Sequence, residues 1–294
     1  MMITTIKSGN VTAKVDSIGG QWRSFEKDGK EYIWQGNPEF WASSAPILFP
    51  VVGRLRNKVM TVGGKEYPMN IHGFARDMSM EILEKSENSV TFRLTDNAET
   101  KAAYPWSFDF RVTYTLEGDR LTCSFRVENR DDREMLFGLG GHPGFNVPMA
   151  AGEKFEDYLL EFEKEEILAS NHVNEDEAIS ASKKDIILES GRVLPLERSL
   201  FNNDALIFED ICSKWVNLVH RDTGKGIHFV YEDFPIFAVW TRGEPQNAPY
   251  VCLEPWFGMG FRDDEGTALE EKYGIQHLAP GAVFTAEFSA EIID

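Results

Sequence analysis

Apolar residues recur at every second position along much of this chain, and that period leaves little choice of architecture. In Ser89–Thr95, Val90, Phe92 and Leu94 take one side and polar residues the other. Phe108–Leu116 and Leu121–Val127 repeat the pattern on either side of Glu117-Gly118-Asp119. Side chains of an extended strand point alternately to its two faces, so each run has one face to bury. Two such runs joined by a short glycine-containing loop read as a β-hairpin. Val11–Ile18, Tyr158–Phe162, Lys214–Val219, Gly226–Tyr231, Ile236–Trp240 and Val283–Ile293 are further strand candidates, with Arg221–Gly224 as a turn. Helical periodicity is scarce. Asp96–Ala103 fits a short helix or turn, while Glu163–Glu177 is charged and has no apolar stripe. The expectation is one all-β domain over residues 1–294, its antiparallel strands packed as a large sandwich.

The bulk properties narrow the partners. A composition 42% apolar and 12% aromatic supplies ample core. The formal net charge of −18 has the wrong sign for nucleic acid or an anionic membrane surface, and neither is expected as a partner. Cys123, Cys212 and Cys252 are scattered and odd in number, with no CxxC pair, so neither a disulfide framework nor a thiolate zinc site is expected. MMITTIKSGN has no apolar leader core, and no run approaches the roughly 18 apolar residues of a spanning helix, so the expected location is cytoplasmic. No GxGxxG or P-loop pattern is present, and no cofactor is expected.

Three segments break the strand pattern in ways that suit chemistry. In Asn70–Asp77, His72 precedes Gly73, expected to let a ligand approach the backbone, and Arg76 follows. In Gly138–Pro148, four glycines surround His142, and Pro143 biases that histidine toward an extended conformation. In Tyr250–Gly258, alternation puts Tyr250, Cys252 and Glu254 on one face and Val251 and Leu253 on the other. Pro255 lacks an amide donor, so the ladder is expected to end near it, leaving Glu254 as a desolvated base beside Trp256. Taken singly, each has an ordinary explanation: a structural histidine, a solvated glutamate, an aromatic core.

In this order and at these separations the segments resemble the signature of the aldose 1-epimerase (mutarotase) family, and in particular its LacX-related branch. The resemblance implies a sandwich of the galactose mutarotase-like (supersandwich) type and an isomerase that interconverts the α and β anomers of an aldose, without cofactor or metal. It also implies roles. His72 matches a substrate-binding histidine, His142-Pro-Gly-Phe-Asn146 the catalytic acid, and Glu254 the base. Pro50-Val-Val-Gly-Arg54 matches a further family segment, Asp204 matches a sugar-contacting aspartate, and Arg54 and Arg76 join His72 and Asp204 in holding hydroxyls. The chemistry suits these types. Opening the hemiacetal takes a proton from the C1 hydroxyl and delivers one to the ring oxygen, so one base and one acid must converge, their pKa values pushed toward each other.

The chain departs from the family at Gly144, where galactose mutarotases usually carry a bulky aromatic, and His72–Arg76 is also similar to a segment of the hexose-6-phosphate epimerase branch. The sugar, and whether it is a sugar phosphate, stay open. Arg54, Arg56, Arg76 and Lys58 are the cations that would meet a phosphate. Trp34, Trp41, Trp256, Phe74 and Phe145 are either sugar-stacking rings or core. Two other readings stand alongside: a metal site of two histidines and a carboxylate, for which no HExxH spacing exists, and a carbohydrate-binding or sensing protein without turnover. The expected assembly is a monomer or homodimer.

Overall fold

The computed structural model describes residues 2–243 and 247–294. Two large antiparallel sheets dominate it. The nine-stranded sheet runs, in spatial order, through Val193–Pro195, Tyr158–Phe162, Trp215–His220, Gly226–Val230, Val283–Ile293, Arg120–Asn129, Phe108–Glu117, Ser89–Thr95 and Glu81–Lys85. The second sheet runs through Ile179–Ile186, Leu168–Val173, Leu206–Phe208, Ile236–Trp240, Tyr250–Phe257, Leu139–Gly141 and Ile47–Leu48, with Gly144–Asn146 also paired to Tyr250–Phe257. A four-stranded sheet formed by residues between Ile3 and Glu31 flanks them.

The alternating runs do what their period requires. Phe108–Glu117 and Arg120–Asn129 pair in continuous register as the expected hairpin, with Phe110, Val112, Tyr114 and Leu116 buried. Between the two large sheets the inner faces form one aromatic-rich core, with Phe237 stacked on Tyr231 at 4.2 Å and Phe257 edge-on to Phe284 at 5.0 Å. Each ring buried there contributes a few kcal/mol, which is what sets the sheet pairing. Asp96–Ala103 resolves into a helix, Ala98–Ala103, whose first turn is capped by the Asn97 side chain accepting from the Thr100 amide at 2.9 Å.

One region departs from the sequence expectation. Within the charged stretch 163–177 lies the strand Leu168–Val173, paired with Ile179–Ile186 at the edge of the second sheet. Ile179–Ile186 exposes most of its residues, and an edge strand has too little apolar area to cover for alternation to show. Among the described residues no helix is long and apolar enough to cross a membrane.

The strand that matters for function is Tyr250–Phe257, in the interior of the second sheet, with all eight residues buried. Val251 and Leu253 enter the main core, while Tyr250, Cys252, Glu254 and Trp256 face the opposite side. The ladder does not end at Pro255, as expected from its missing donor; it continues to Phe257. The reason is positional. Leu253 donates to the Pro143 carbonyl, so the amide position two residues on points toward Gly141, and the proline removes one bond on that side while Phe237 stays paired on the other.

Candidate active site

The register of this part of the sheet brings the two ends of the proposed chemistry together. Gly140 lies opposite Trp256, and Gly144 lies opposite Cys252, so an unbroken count places His142 opposite Glu254. Pro143–Leu253 is a hydrogen-bonded rung, with the Leu253 amide donating to the Pro143 carbonyl at 3.1 Å. The neighbouring His142–Glu254 rung is therefore of the non-hydrogen-bonded kind, in which opposed side chains come closest. His142 Nε2 sits 3.3 Å from Glu254 Oε1.

Around this pair the sheet is pared down on one side and walled on the other. Ala238, opposite Glu254 on its second flank, is small. Gly144 is small for a visible reason: a Cβ there would come within 3.0 Å of the Trp41 ring. The bulk absent at position 144 is supplied by Trp41, which stacks on the His142 ring at 4.9 Å and 29°. Trp240 meets the same imidazole edge-on at 5.5 Å. The result is a cavity of about 220 Å³ whose lining includes His142, Glu254, His72, Arg54, Arg76 and Asp204, with Trp41, Trp240 and Trp256 as aromatic walls. All six site candidates named from the sequence border this one space.

The other aromatic candidates lie elsewhere. Phe145 packs into the core against Trp22 and Phe229, Phe74 against Phe49 and Tyr104, and Trp34 lies behind Tyr250 at 4.9 Å. Trp240 was missed, although the alternation of Ile236–Trp240 places it on the same face as Ala238. Arg56 is not free to meet a ligand, since its guanidinium donates to the carbonyls of Glu265, Arg262 and Asp263. Lys58 lines an adjoining groove rather than the cavity.

Gly73 serves the chain and not a ligand. Its φ is +75°, and a Cβ would lie 2.2 Å from the Phe49 carbonyl oxygen, so the close approach is made by backbone. That approach holds His72 in place. His72 takes a φ of +64°, its amide donates to the Gly53 carbonyl, and its Nδ1 accepts from the Gly53 amide at 3.1 Å. A neutral imidazole accepting at Nδ1 carries its proton on Nε2, which makes it a donor there.

Electrostatics keep the site poised. Burial pushes the Glu254 carboxyl well above the usual carboxylate range, and Asp204 adds to this; Trp256 and Arg76 oppose it without reversing it. Burial, with Arg76 nearby, pushes the His142 imidazole down to about 3. His72 is also pushed well down, by burial first and then by His142, Arg76 and Arg54. Both members of the pair thus favour their uncharged forms: the carboxyl holds its proton more tightly than the imidazole, the reverse of their ordinary order. Glu254 Oε2 and His142 Nδ1 are buried without a hydrogen-bond partner. At the mouth Arg54 pairs with Glu177 at 3.4 Å, and Arg76 donates to Ser43 Oγ at 3.1 Å.

A metal would find a different donor set from the two histidines and a carboxylate weighed above. His142, Cys252 and Glu254 each offer one ligand atom, all within 4.8 Å of one another. Burial raises the Cys252 thiol well above its usual range, so it is not a ready thiolate.

Comparison with known proteins identifies the family and the fold. The sequence profile of the aldose 1-epimerase family matches residues 1–283. The plasmid-encoded protein LacX of Lactococcus lactis subsp. lactis is 37% identical over 287 residues, covering 95% of each chain. The X-ray structure of a galactose mutarotase related enzyme from Lactobacillus acidophilus superposes with a TM-score of 0.94 at 35% identity, over 100% of this chain and 98% of that one. A galactose mutarotase-like protein from Lactobacillus casei gives 0.93 at 31% identity, over 99% and 100%. The sandwich is therefore of the galactose mutarotase-like type.

Proposed function

The chain belongs to the aldose 1-epimerase family, isomerases of the mutarotase type, and from that premise we propose that it interconverts the anomers of an aldohexose with Glu254 as base and His142 as acid. The observation that carries the assignment is the 3.3 Å approach of His142 Nε2 to Glu254 Oε1 at the floor of a cavity bordered by sugar-binding residue types.

Glu254 takes the proton of the C1 hydroxyl while His142 Nε2 gives one to the ring oxygen. The C1–O5 bond breaks and C1 becomes a carbonyl. Rotation about C1–C2 presents its other face, and the same transfers in reverse close the ring, with His142 recovering its proton from the C5 hydroxyl. The uncharged pair favoured by burial and the working pair, carboxylate and imidazolium, hold the same number of protons. One proton moving between Oε1 and Nε2 converts one into the other, so no exchange with solvent is needed. Arg76 favours the carboxylate member of that balance. His72 donates from Nε2 to a hydroxyl, Arg54 and Arg76 donate to others, and Asp204 accepts. The Trp41, Trp240 and Trp256 rings offer flat surfaces to the C–H face of the sugar.

Freshly dissolved α-glucose and α-galactose, each compared with its 6-phosphate, test the reading by polarimetry. Enzyme-dependent relaxation of an unphosphorylated hexose is the expected result. Decay equal to buffer for every sugar tried would favour a binding protein without turnover.

A further inference from the structure

Cys252 takes no part in the proton transfers, yet it lies beside both groups that make them. His142, Cys252 and Glu254 are all buried, and each offers one ligand atom within 4.8 Å of the other two. The sheet explains the grouping. Cys252 and Glu254 project to the same face of Tyr250–Phe257, and His142 reaches them from the facing rung. Gly144, opposite Cys252, leaves the sulfur uncovered on that side: a Cβ there would lie 3.3 Å from Sγ.

The spacing matches what a tetrahedral cation asks of its donors. Zinc holds imidazole nitrogen and carboxylate oxygen at about 2.0–2.1 Å and sulfur at about 2.3 Å. Tetrahedral angles then put nitrogen and oxygen about 3.3 Å apart, and each of them about 3.5 Å from the sulfur. His142 Nε2 and Glu254 Oε1 already stand 3.3 Å apart. The widest gap in the trio, 4.8 Å at most, closes to the required distance with about 1.3 Å of side-chain movement. A second observation points to a ligand. Glu254 Oε2 and His142 Nδ1 have no hydrogen-bond partner, on side chains more than nine-tenths buried that border the cavity.

Charge selects the cation. A metal bound here displaces the thiol proton of Cys252 and the carboxyl proton of Glu254 to solvent, while His142 coordinates as a neutral ring. Thiolate and carboxylate together carry two negative charges, which a divalent cation cancels, so the buried centre stays neutral. Sulfur and nitrogen donors favour zinc over magnesium or calcium, which prefer all-oxygen sites. Around the cavity Arg54 and Arg76 are matched in number by Glu177 and Asp204, so no excess positive charge bars the approach. We propose that His142, Cys252 and Glu254 form an inhibitory site for a thiophilic divalent cation, zinc above all, which enters through the sugar cavity. With the metal in place Glu254 has no free oxygen lone pair aimed at the C1 hydroxyl and His142 has no proton to give, so anomerisation stops. The inhibition rests on the anomerisation reading; the binding does not.

The test follows anomerisation of α-galactose by polarimetry with added zinc, magnesium or calcium chloride, in the native chain and in Cys252→Ala. Cys252 transfers no proton and does not line the cavity, so the variant should turn over sugar as the native chain does, and that rate reports on its fold. Micromolar zinc should stop the native chain, and magnesium and calcium should not. Losing one of three ligands should raise the zinc needed for half-inhibition by about a hundredfold in the variant. A second measurement needs neither turnover nor the variant: cobalt(II) added to the native chain should give the near-ultraviolet sulfur-to-cobalt charge-transfer band of a thiolate ligand. Full activity in millimolar zinc, equal zinc sensitivity in both proteins, or a cobalt complex without the sulfur band overturns the site and leaves the anomerase intact. If no sugar is turned over, the anomerase reading falls with its inhibition, while the cobalt band still decides whether the three residues bind a metal.

Discussion

Replacing Glu254 by glutamine should separate what the residue does for the reaction from what it costs the fold. Proton transfer by a positioned group contributes roughly a hundred- to ten-thousand-fold in rate, about 3–5 kcal/mol of barrier, and glutamine cannot accept the O1 proton. Stability should move the other way. Burial raises the Glu254 carboxyl well above its unfolded value, so the folded chain holds a proton there that the unfolded chain releases above about pH 4.5. Where the folded state binds more protons than the unfolded, stability falls as pH rises, by at most about 1.4 kcal/mol per pH unit for one group. Between pH 5 and 8 the native chain should therefore lose up to about 4 kcal/mol that Glu254→Gln does not lose. His142 overlaps that range only between pH 5 and about 6.5: its depressed pKa costs stability as pH falls from about 6.5 toward 3, in both proteins, so the difference between the two curves reports Glu254. Urea denaturation at pH 5, 6.5 and 8, with polarimetry at pH 7, reads both effects. Parallel stability curves would mean the buried carboxyl is already ionised in the fold. Anomerisation within tenfold of the native rate would remove Glu254 as the base.

Two further substitutions probe the frame of the site. Gly73→Ala forces a Cβ onto the Phe49 carbonyl in a left-handed conformation and should cost roughly 2–5 kcal/mol in urea denaturation; a loss under about 1 kcal/mol would show that this crossing can yield. Trp41→Ala removes the ring stacked on His142 at 4.9 Å and on Tyr250 at 5.5 Å, and should lower kcat/KM about tenfold in steady-state assays with little change in unfolding midpoint, whereas unchanged kinetics would make Trp41 a passive wall.

Local features were legible in the sequence and long-range ones only through resemblance. The 108–129 hairpin could be read because both partners and their turn lie within one short stretch. Alternation alone also sorted Tyr250, Cys252 and Glu254 from Val251 and Leu253, since a face follows from parity. Parity does not say which strand lies alongside, so nothing in composition or spacing could place His142 opposite Glu254; the family resemblance implied only that the two meet at one sugar, and the facing rungs emerge from the register. Trp240 was within reach of the same parity argument and was overlooked. Leu168–Val173 was hidden because its buried positions include Ser170 and Asn171, so burial there leaves no apolar alternation to read. Gly73 and Pro255 were read by their usual meanings and carry different ones here, because the Phe49 carbonyl and the Gly141 side of the ladder become neighbours only after folding.

Placing an acid and a base on facing rungs has a consequence for how such a chain can change over time. One residue inserted or deleted within Tyr250–Phe257 would rotate Glu254 into the Phe-lined interior and bring Leu253 or Pro255 to the cavity, so the segment is locked in length as well as in identity. Arg54, Arg76 and Asp204 lie outside the strands, so no pairing register ties the identity of their side chains to a facing rung. Drift in which sugar is held is therefore easy for this architecture, and drift in what is done to it is hard.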